Sequence, residues 1–376
     1  MKVTIIGASM AGLFAAYLLA KEGVNVEVYE RENTLGWPPR TLIVTSKLKE
    51  VLHFLPDDAV INEVKYLELF SRSKSAKLEL SVPDLVIERE NFVNLLARFA
   101  QEAGAKIVLK HQFEGFAQFG TKVVVSLKDL ETNEKTRLST DILVGADGAN
   151  SSVTHAASSN GHLLKALLQA RVLLPENAKS DTFQVWFDSE QTKYFYWLIP
   201  ECDRTAAVGL IADDARQAEG YLAAFLRDRE LEPLEFQSAM VPVHRFGYVG
   251  EVLSKGRNVF AVGDAAAQVK VTTVGGVVTG LNGAKALTHA LLNGRNYSKS
   301  LRELKHELNL HLLIRQVLNR FTEEDYDELI GMINGGLKDV LEEWNRDELK
   351  QSFLKMVWTE PRLIKLGAKA FLKSFL

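Results

Sequence analysis

The chain predicts an α/β protein in which a discontinuous parallel-sheet domain is interrupted by a mostly antiparallel β-domain and followed by helices. Three observations carry that expectation. Residues 3–30 read as strand, glycine-rich turn, helix and strand; residues 60–87 and 180–249 have the character of antiparallel strands; and after Gly256 an apolar strand leads into a long helix. The expected division is 1–59, 87–158 and 250–295 for the first domain, 60–86 and 159–249 for the second, and 296–376 for a C-terminal helical region.

Taken in order, Val3, Ile5 and Ile6 form a buried strand, Gly7 to Gly12 a turn, Leu13 to Lys21 a helix ended by Gly23, and Val24 to Tyr29 a second strand. "VKYLELFSR" and "AKLELSVP" alternate apolar and polar residues and suit an antiparallel pair. The helix "ENFVNLLARFAQEAG" ends at Gly104 and "AKIVLKH" follows as a strand. A hairpin-like stretch from Phe113 to Leu138 leads into "DILVGADGANSSV", and one short helix near Tyr221 to Arg227 sits among the later strands.

Composition narrows the function classes. At 376 residues the chain can bury a large ligand, and its net charge of -3, without a basic tract rich in aromatics, argues against nucleic acid as a partner. Cys202 is the only cysteine, which excludes internal disulfides, iron-sulfur clusters and a dithiol. The eight histidines form no H-x-x-x-H pair with a matching carboxylate, so no metal site is expected. No G-x-S-x-G elbow marks a hydrolase. Val3 already enters a strand, without signal-peptide regions, and no window approaches the roughly 18 apolar residues of a spanning helix. A cytoplasmic protein, not integral to a membrane, is expected.

The first turn has the spacing of G-x-G-x-x-G with Ser9 at the middle position. A nucleotide pyrophosphate needs backbone N–H donors at a helix N-terminus, where aligned peptide dipoles amount to roughly half a positive charge. Gly7 supplies the bend, Gly12 lets helix and strand approach, and Ser9, Met10 and Ala11 lie between them. The Ser9 hydroxyl can itself donate to phosphate. Glu30, 23 residues past Gly7, ends the second strand, where a carboxylate accepts both ribose hydroxyls. The turn alone leaves FAD and NAD both open. Two further strand ends, "LVGADGANSSV" at 143–153 and "NVFAVGDAAAQVKVTTVGGVVTGLNGAKAL" at 258–287, decide between them, because a nicotinamide enzyme leaves both unexplained.

With these strings in place, residues 1 to about 300 resemble the flavoproteins of the p-hydroxybenzoate hydroxylase fold, and among them the geranylgeranyl reductases. The resemblance implies a Rossmann-like FAD-binding domain, an antiparallel-sheet substrate domain and FAD as cofactor. It places the ADP half at Gly7, Ser9, Met10, Ala11, Gly12, Glu30 and Arg31, with Arg40, and Arg89 of "VIER", near the cofactor. It assigns Ala146, Asp147 and Gly148 to the "GADG" site, Gly263 and Asp264 to the ribityl chain, and Gly275 and Gly276 to the flavin pyrimidine edge. "YFYWLIPECDRTAAVGLIA" resembles the strand pair over the substrate cavity, with Tyr194, Tyr196, Trp197 and, on "PVHRF", His244 as pocket candidates.

Departures from the family pattern are equally specific. Thr41 stands where many relatives have cysteine, Val271 where proline is usual, Val274 at the first of three glycines, and Thr154 and His155 where arginine is common. The implied activity is reduction of isoprenoid double bonds on a lipid or quinone tail, in lipid biosynthesis, by hydride transfer from reduced flavin. An external donor, NAD(P)H or a reduced carrier protein, supplies the electrons. A monooxygenase of the same fold and a non-catalytic FAD-containing isoprenoid binder are the alternatives.

Residues 350–376 carry six Lys or Arg against one Glu. A helix over 361–376 aligns Ile364, Ala368, Phe371, Leu372 and Phe375 on one face and Arg362, Lys365, Lys369 and Lys373 on another. That pattern suits a peripheral contact with the inner membrane surface or, alternatively, a final helix packed on the domain with its lysines in solvent.

Overall fold

The computed structural model describes residues 1–54, 56–157, 162–246, 258–343 and 346–372. The opening unit is β1 (Lys2–Ile6), α1 (Met10–Lys21) and β2 (Asn25–Tyr29), followed by β3 (Thr41–Val44) and α2 (Lys47–Leu52). Two long strands, β4 (Val60–Phe70) and β5 (Ser75–Glu88), precede α3 (Arg89–Glu102) and β6 (Lys106–Val108). β7 (His111–Phe119), β8 (Lys122–Asp129) and β9 (Lys135–Thr140) form an antiparallel meander before β10 (Ile142–Gly145) and α4 (Ser152–Ala157). Then come β11 (Leu163–Leu173), β12 (Thr182–Trp186), β13 (Tyr196–Pro200), β14 (Thr205–Ala212), α5 (Ala215–Asp228) and β15 (Pro233–Val243). The chain ends with β16 (Val259–Ala261), α6 (Val277–Leu292), α7 (Tyr297–Ser300), α8 (Arg302–Leu318), α9 (Glu323–Met332), α10 (Lys338–Glu343), α11 (Leu349–Thr359) and α12 (Arg362–Leu372).

Five parallel strands in the order β16-β10-β1-β2-β6 make the first sheet, so β10 pairs with β1 and β16, each more than 100 residues away in sequence. A parallel sheet must be covered on both faces. α1, α3 and α6 cover one face through Leu13, Phe14, Leu96 and Leu281, and the β7-β8-β9 meander covers the other through Val123, Val125 and Leu127. The second sheet has eight strands, β15-β11-β14-β13-β12-β4-β5-β3, antiparallel except where β4 runs parallel to β12. Thr41–Val44 therefore pairs into this sheet through β5. α5 packs on one face with Leu222, Phe225 and Leu226, while the C-terminal helices cover the other with Tyr326, Ile330 and Leu366.

Within α12 the residues turned inward are Leu363, Leu366 and Ala370. Ile364, Ala368, Phe371 and Leu372 face outward, so the helix docks by a second apolar stripe and leaves the expected one uncovered. Phe375 and Lys373 lie outside the described residues. Among the described residues no helix is long and apolar enough to cross a membrane.

Candidate functional site

A cavity of about 470 Å³ is walled by elements of both sheets and of the C-terminal helices. At one end it meets Ser9, Met10 and Ala11, Arg40, Arg89 and Gly148. The first turn folds as it does because of two tight approaches. Gly7 has φ +95, and a Cβ there would lie 2.5 Å from the Ala146 carbonyl oxygen; one on Gly12 would lie 2.7 Å from the Ala146 Cβ. Ala146 thus packs the turn from behind. Ser9 caps α1, its Oγ accepting from the Gly12 amide at 3.2 Å, which leaves its hydroxyl hydrogen free to donate.

The Glu30 carboxylate stands beside the turn and accepts from the Ala8 and Glu32 amides at 2.7 and 3.0 Å. Arg31 follows the strand end and turns to solvent, 72% exposed and paired with Glu32 at 3.0 Å. Asp147 caps the following helix, α4. Its carboxylate accepts from Ser151 Oγ and the Ser152 and Val153 amides, and burial pushes its carboxyl above the usual range. Gly148 remains on the wall, with open space where a Cβ would stand.

Two arginines and one aspartate gather at the next turn of the cavity. Glu88 holds the Arg40 amide at 3.0 Å and caps α3 through the Asn91 amide, while Arg89 Nη1 donates to the Gly36 and Pro38 carbonyls. Burial, reinforced by neighbouring Arg89 and opposed by Asp264, pushes the Arg40 guanidinium down to about 10. Burial likewise pushes Asp264 up, against the pull of both arginines. Arg40 Nε finds no acceptor among the described residues. A Cβ on Gly276 would come within 2.9 Å of Asp264 Oδ1, so only glycine allows the α6 N-terminus to close on this carboxylate. Gly275 pairs with Lys270 across an isolated bridge. Unsatisfied guanidinium, two helix N-termini and a side-chain-free gap at Gly148 together fit a phosphate-bearing dinucleotide.

Beyond Gly276 the wall turns apolar, with Leu67, Phe183, Val185, Phe195, Trp197 and Ile211. The four pocket candidates separate here. Trp197 lines the cavity, and its neighbours in alternation, Phe195 and Ile199, line it too. Tyr196 faces the opposite side of β13, stacks on Phe225 of α5 at 4.4 Å, and donates to Gln191. Tyr194 is buried beneath the Arg315 guanidinium, 4.8 Å from its ring centre. His244 contacts Asn309 Oδ1 through Nε2 at 2.9 Å. Burial pushes both phenols above their usual range, and neither reaches the cavity wall.

Apart from Thr41, the polar wall residues that follow were not singled out in the sequence. Lys270 forms a buried ion pair with Asp347, whose other oxygen accepts from Thr45 at 2.5 Å. Arg346 pairs with Asp84 at 2.6 Å, and Thr41 donates to Glu201, which Arg171 holds at 2.6 Å. A lysine inside the apolar "QVKVTTV" was the one available signal; the partners come from distant segments.

A sequence profile of the FAD binding domain family matches residues 1–302. The chain is 25% identical over 390 residues to the digeranylgeranylglycerophospholipid reductase of Methanocaldococcus jannaschii, covering 96% of each chain. It is 25% identical to digeranylgeranylglycerophospholipid reductase 3 of Methanosphaera stadtmanae, over 87% of this chain and 89% of that one. Among solved structures, a geranylgeranyl bacteriochlorophyll reductase-like protein from Thermoplasma acidophilum superposes with a TM-score of 0.79 at 19% identity, covering 98% of both chains. With a match spanning four-fifths of its length and a cradle shaped for a dinucleotide, the chain belongs to the FAD binding domain family and is an FAD-dependent oxidoreductase.

Proposed function

We propose that the protein saturates double bonds of a geranylgeranyl-type lipid. The observation that carries this reading is one cavity continuous from the dinucleotide cradle to an apolar hollow, with Trp197 and Phe195 on its wall. The names of the relatives, two of them reductases of digeranylgeranylglycerophospholipid, point to the same substrate class. Bound and reduced, FAD supplies a hydride equivalent to an alkene carbon.

The chain's own residues do the rest. Amides at the start of α1 hold the pyrophosphate, Glu30 accepts the ribose hydroxyls, Arg40 and Arg89 neutralise phosphate charge, and Asp264 accepts from the ribityl chain. Gly275 and Gly276 bring the α6 N-terminus toward the pyrimidine edge. The apolar wall orients the chain and excludes water. Ile364, Phe371 and Leu372 on α12, and Leu354 and Trp358 on α11, are exposed apolar side chains that, with Lys365, support contact with an anionic membrane surface.

The test is anaerobic. Dithionite-reduced protein mixed with a geranylgeranyl lipid should reoxidise its flavin while the lipid gains two mass units for each bond saturated. Reoxidation only after air is admitted excludes the proposal and favours a monooxygenase.

A further inference from the structure

On the wall of the cavity lies a buried cation that the roles above do not use. β13 runs about 13 Å from Tyr196 to Pro200. Its Pro200 end adjoins Glu201 and Thr41, next to Arg40. Just before its other end lie Lys193 and Tyr194, and there Arg315 of α8 reaches the wall. Arg315 is 2% exposed. Its Nη1 donates to the Lys193 carbonyl at 3.0 Å, and its plane covers the Tyr194 ring. Nε has no acceptor among the described residues.

The electrostatics are one-sided. The side chains that act on Arg315 are the phenols of Tyr194 and Tyr326, and burial lowers its guanidinium from the usual range. The cavity's other buried cations have carboxylates: Lys270 has Asp347, and Arg346 has Asp84. A buried charge without a counter-ion is costly, and a guanidinium offers a forked donor set suited to phosphate or carboxylate. Among the described residues Trp197 Nε1, also on the wall, lacks an acceptor, as does Thr273 Oγ1, which lies beside Gly275. Phe187, Phe195 and Leu318 share the wall with Arg315, so an occupant that meets it is matched by an oily body and an anionic tip.

We propose that Arg315 recognises the phosphate at the head of an isoprenoid chain lying in the hollow. The proposal rests on the reductase reading for the choice of isoprenoid, while the anion site rests on Arg315 itself. A phosphate held there replaces the missing counter-ion and fixes which stretch of the chain reaches the cofactor end.

The experiment titrates the oxidised, FAD-loaded protein with geranylgeranyl monophosphate, geranylgeraniol and inorganic phosphate by calorimetry. The monophosphate should bind at least tenfold more tightly than the alcohol, and inorganic phosphate alone only weakly, because it lacks the chain. R315Q should erase the preference while leaving alcohol binding intact, and R315K should restore part of it. Equal binding of alcohol and monophosphate to the wild type overturns the proposal, as does a preference that survives in R315Q. Should R315Q not fold, the wild-type preference and its weakening in R315K decide the matter. Anaerobic reoxidation of the reduced protein separates the two readings. Monophosphate that binds through Arg315 yet leaves the flavin reduced sinks the reductase assignment alone; alcohol and monophosphate reoxidising it with equal KM sink the Arg315 site alone.

Discussion

Lys270 and Asp347 form an ion pair with side chains 6% and 5% exposed, tying the loop before α6 to the segment before α11. Breaking a buried pair from one side strands the other charge. Asp347→Asn should therefore cost about 3–5 kcal/mol, whereas the double change Lys270→Met with Asp347→Leu should recover most of that loss. Urea unfolding of the three proteins checks the order; a double variant no more stable than the single one contradicts it. Burial pushes the Asp347 carboxyl up, but Lys270 and Thr45 more than offset it and hold it below 3.8. Its contribution is present above that value and lost as pH falls through the lower folded one.

His311, packed against the same cluster, sets a second pH dependence. Its Nδ1 meets Thr272 Oγ1 at 2.5 Å, and Glu307, Lys270 and Asp347 are the charges around it. Burial holds the imidazole below its ordinary 6.5, despite the opposing pull of Glu307. A depressed folded value means that the unfolded chain binds the proton first, so stability present above 6.5 declines as pH falls through 6.5 toward the folded value. His311→Asn should flatten the decline in urea midpoint between pH 8 and 5. An unchanged slope would assign the titration elsewhere.

Val274 sits at φ 56, in the left-handed region that β-branched residues avoid. Its position follows the loop that brings Gly275 and Gly276 to the cavity, and its side chain packs against the core under the C-terminal helices. Val274→Ala keeps the unfavourable conformation and loses two methyl groups, while Val274→Gly removes the conflict. The glycine variant should be more stable than the alanine variant by about 1 kcal/mol, reversing the usual order of the two residues. Thermal unfolding of both, each saturated with FAD, checks this. Ala267, at φ 50, offers the same comparison one loop earlier.

How much of this could be read from the sequence depended on distance along the chain. The first βαβ unit was legible because its strand, turn, helix and Glu30 lie within 30 residues and each has a local signature. Alternation showed that two of Tyr194, Phe195, Tyr196 and Trp197 share a face, but a period of two does not say which face is inward; α5 covering the Tyr196 side decides that. In α12 the outward stripe was read correctly as a stripe, yet Leu363, Leu366 and Ala370 form another, and only the neighbouring helices select it. Arg315 and Asp347 carried no signal, because their partners Lys193 and Lys270 are 122 and 77 residues away.

The cofactor cradle yields the last prediction. Arg40 Nε has no acceptor among the described residues, Arg89 is spent partly on the Gly36 and Pro38 carbonyls, and the two crowd each other around Asp264. An anion between them relieves that crowding, so removing one cation weakens anion binding without dismantling the fold. Arg40→Met should loosen FAD about ten- to a hundredfold, the equivalent of one hydrogen bond to a charged group. Gly7→Ala should act differently. A Cβ 2.5 Å from the Ala146 carbonyl oxygen forces β1 and β10 apart at φ +95, where alanine is itself disfavoured, so both FAD retention and stability should fall together. Flavin release on dialysis, followed by absorbance and paired with apoprotein unfolding, distinguishes the two. Loss of apoprotein stability in Arg40→Met equal to that in Gly7→Ala would mean that Arg40 supports the fold rather than the phosphate.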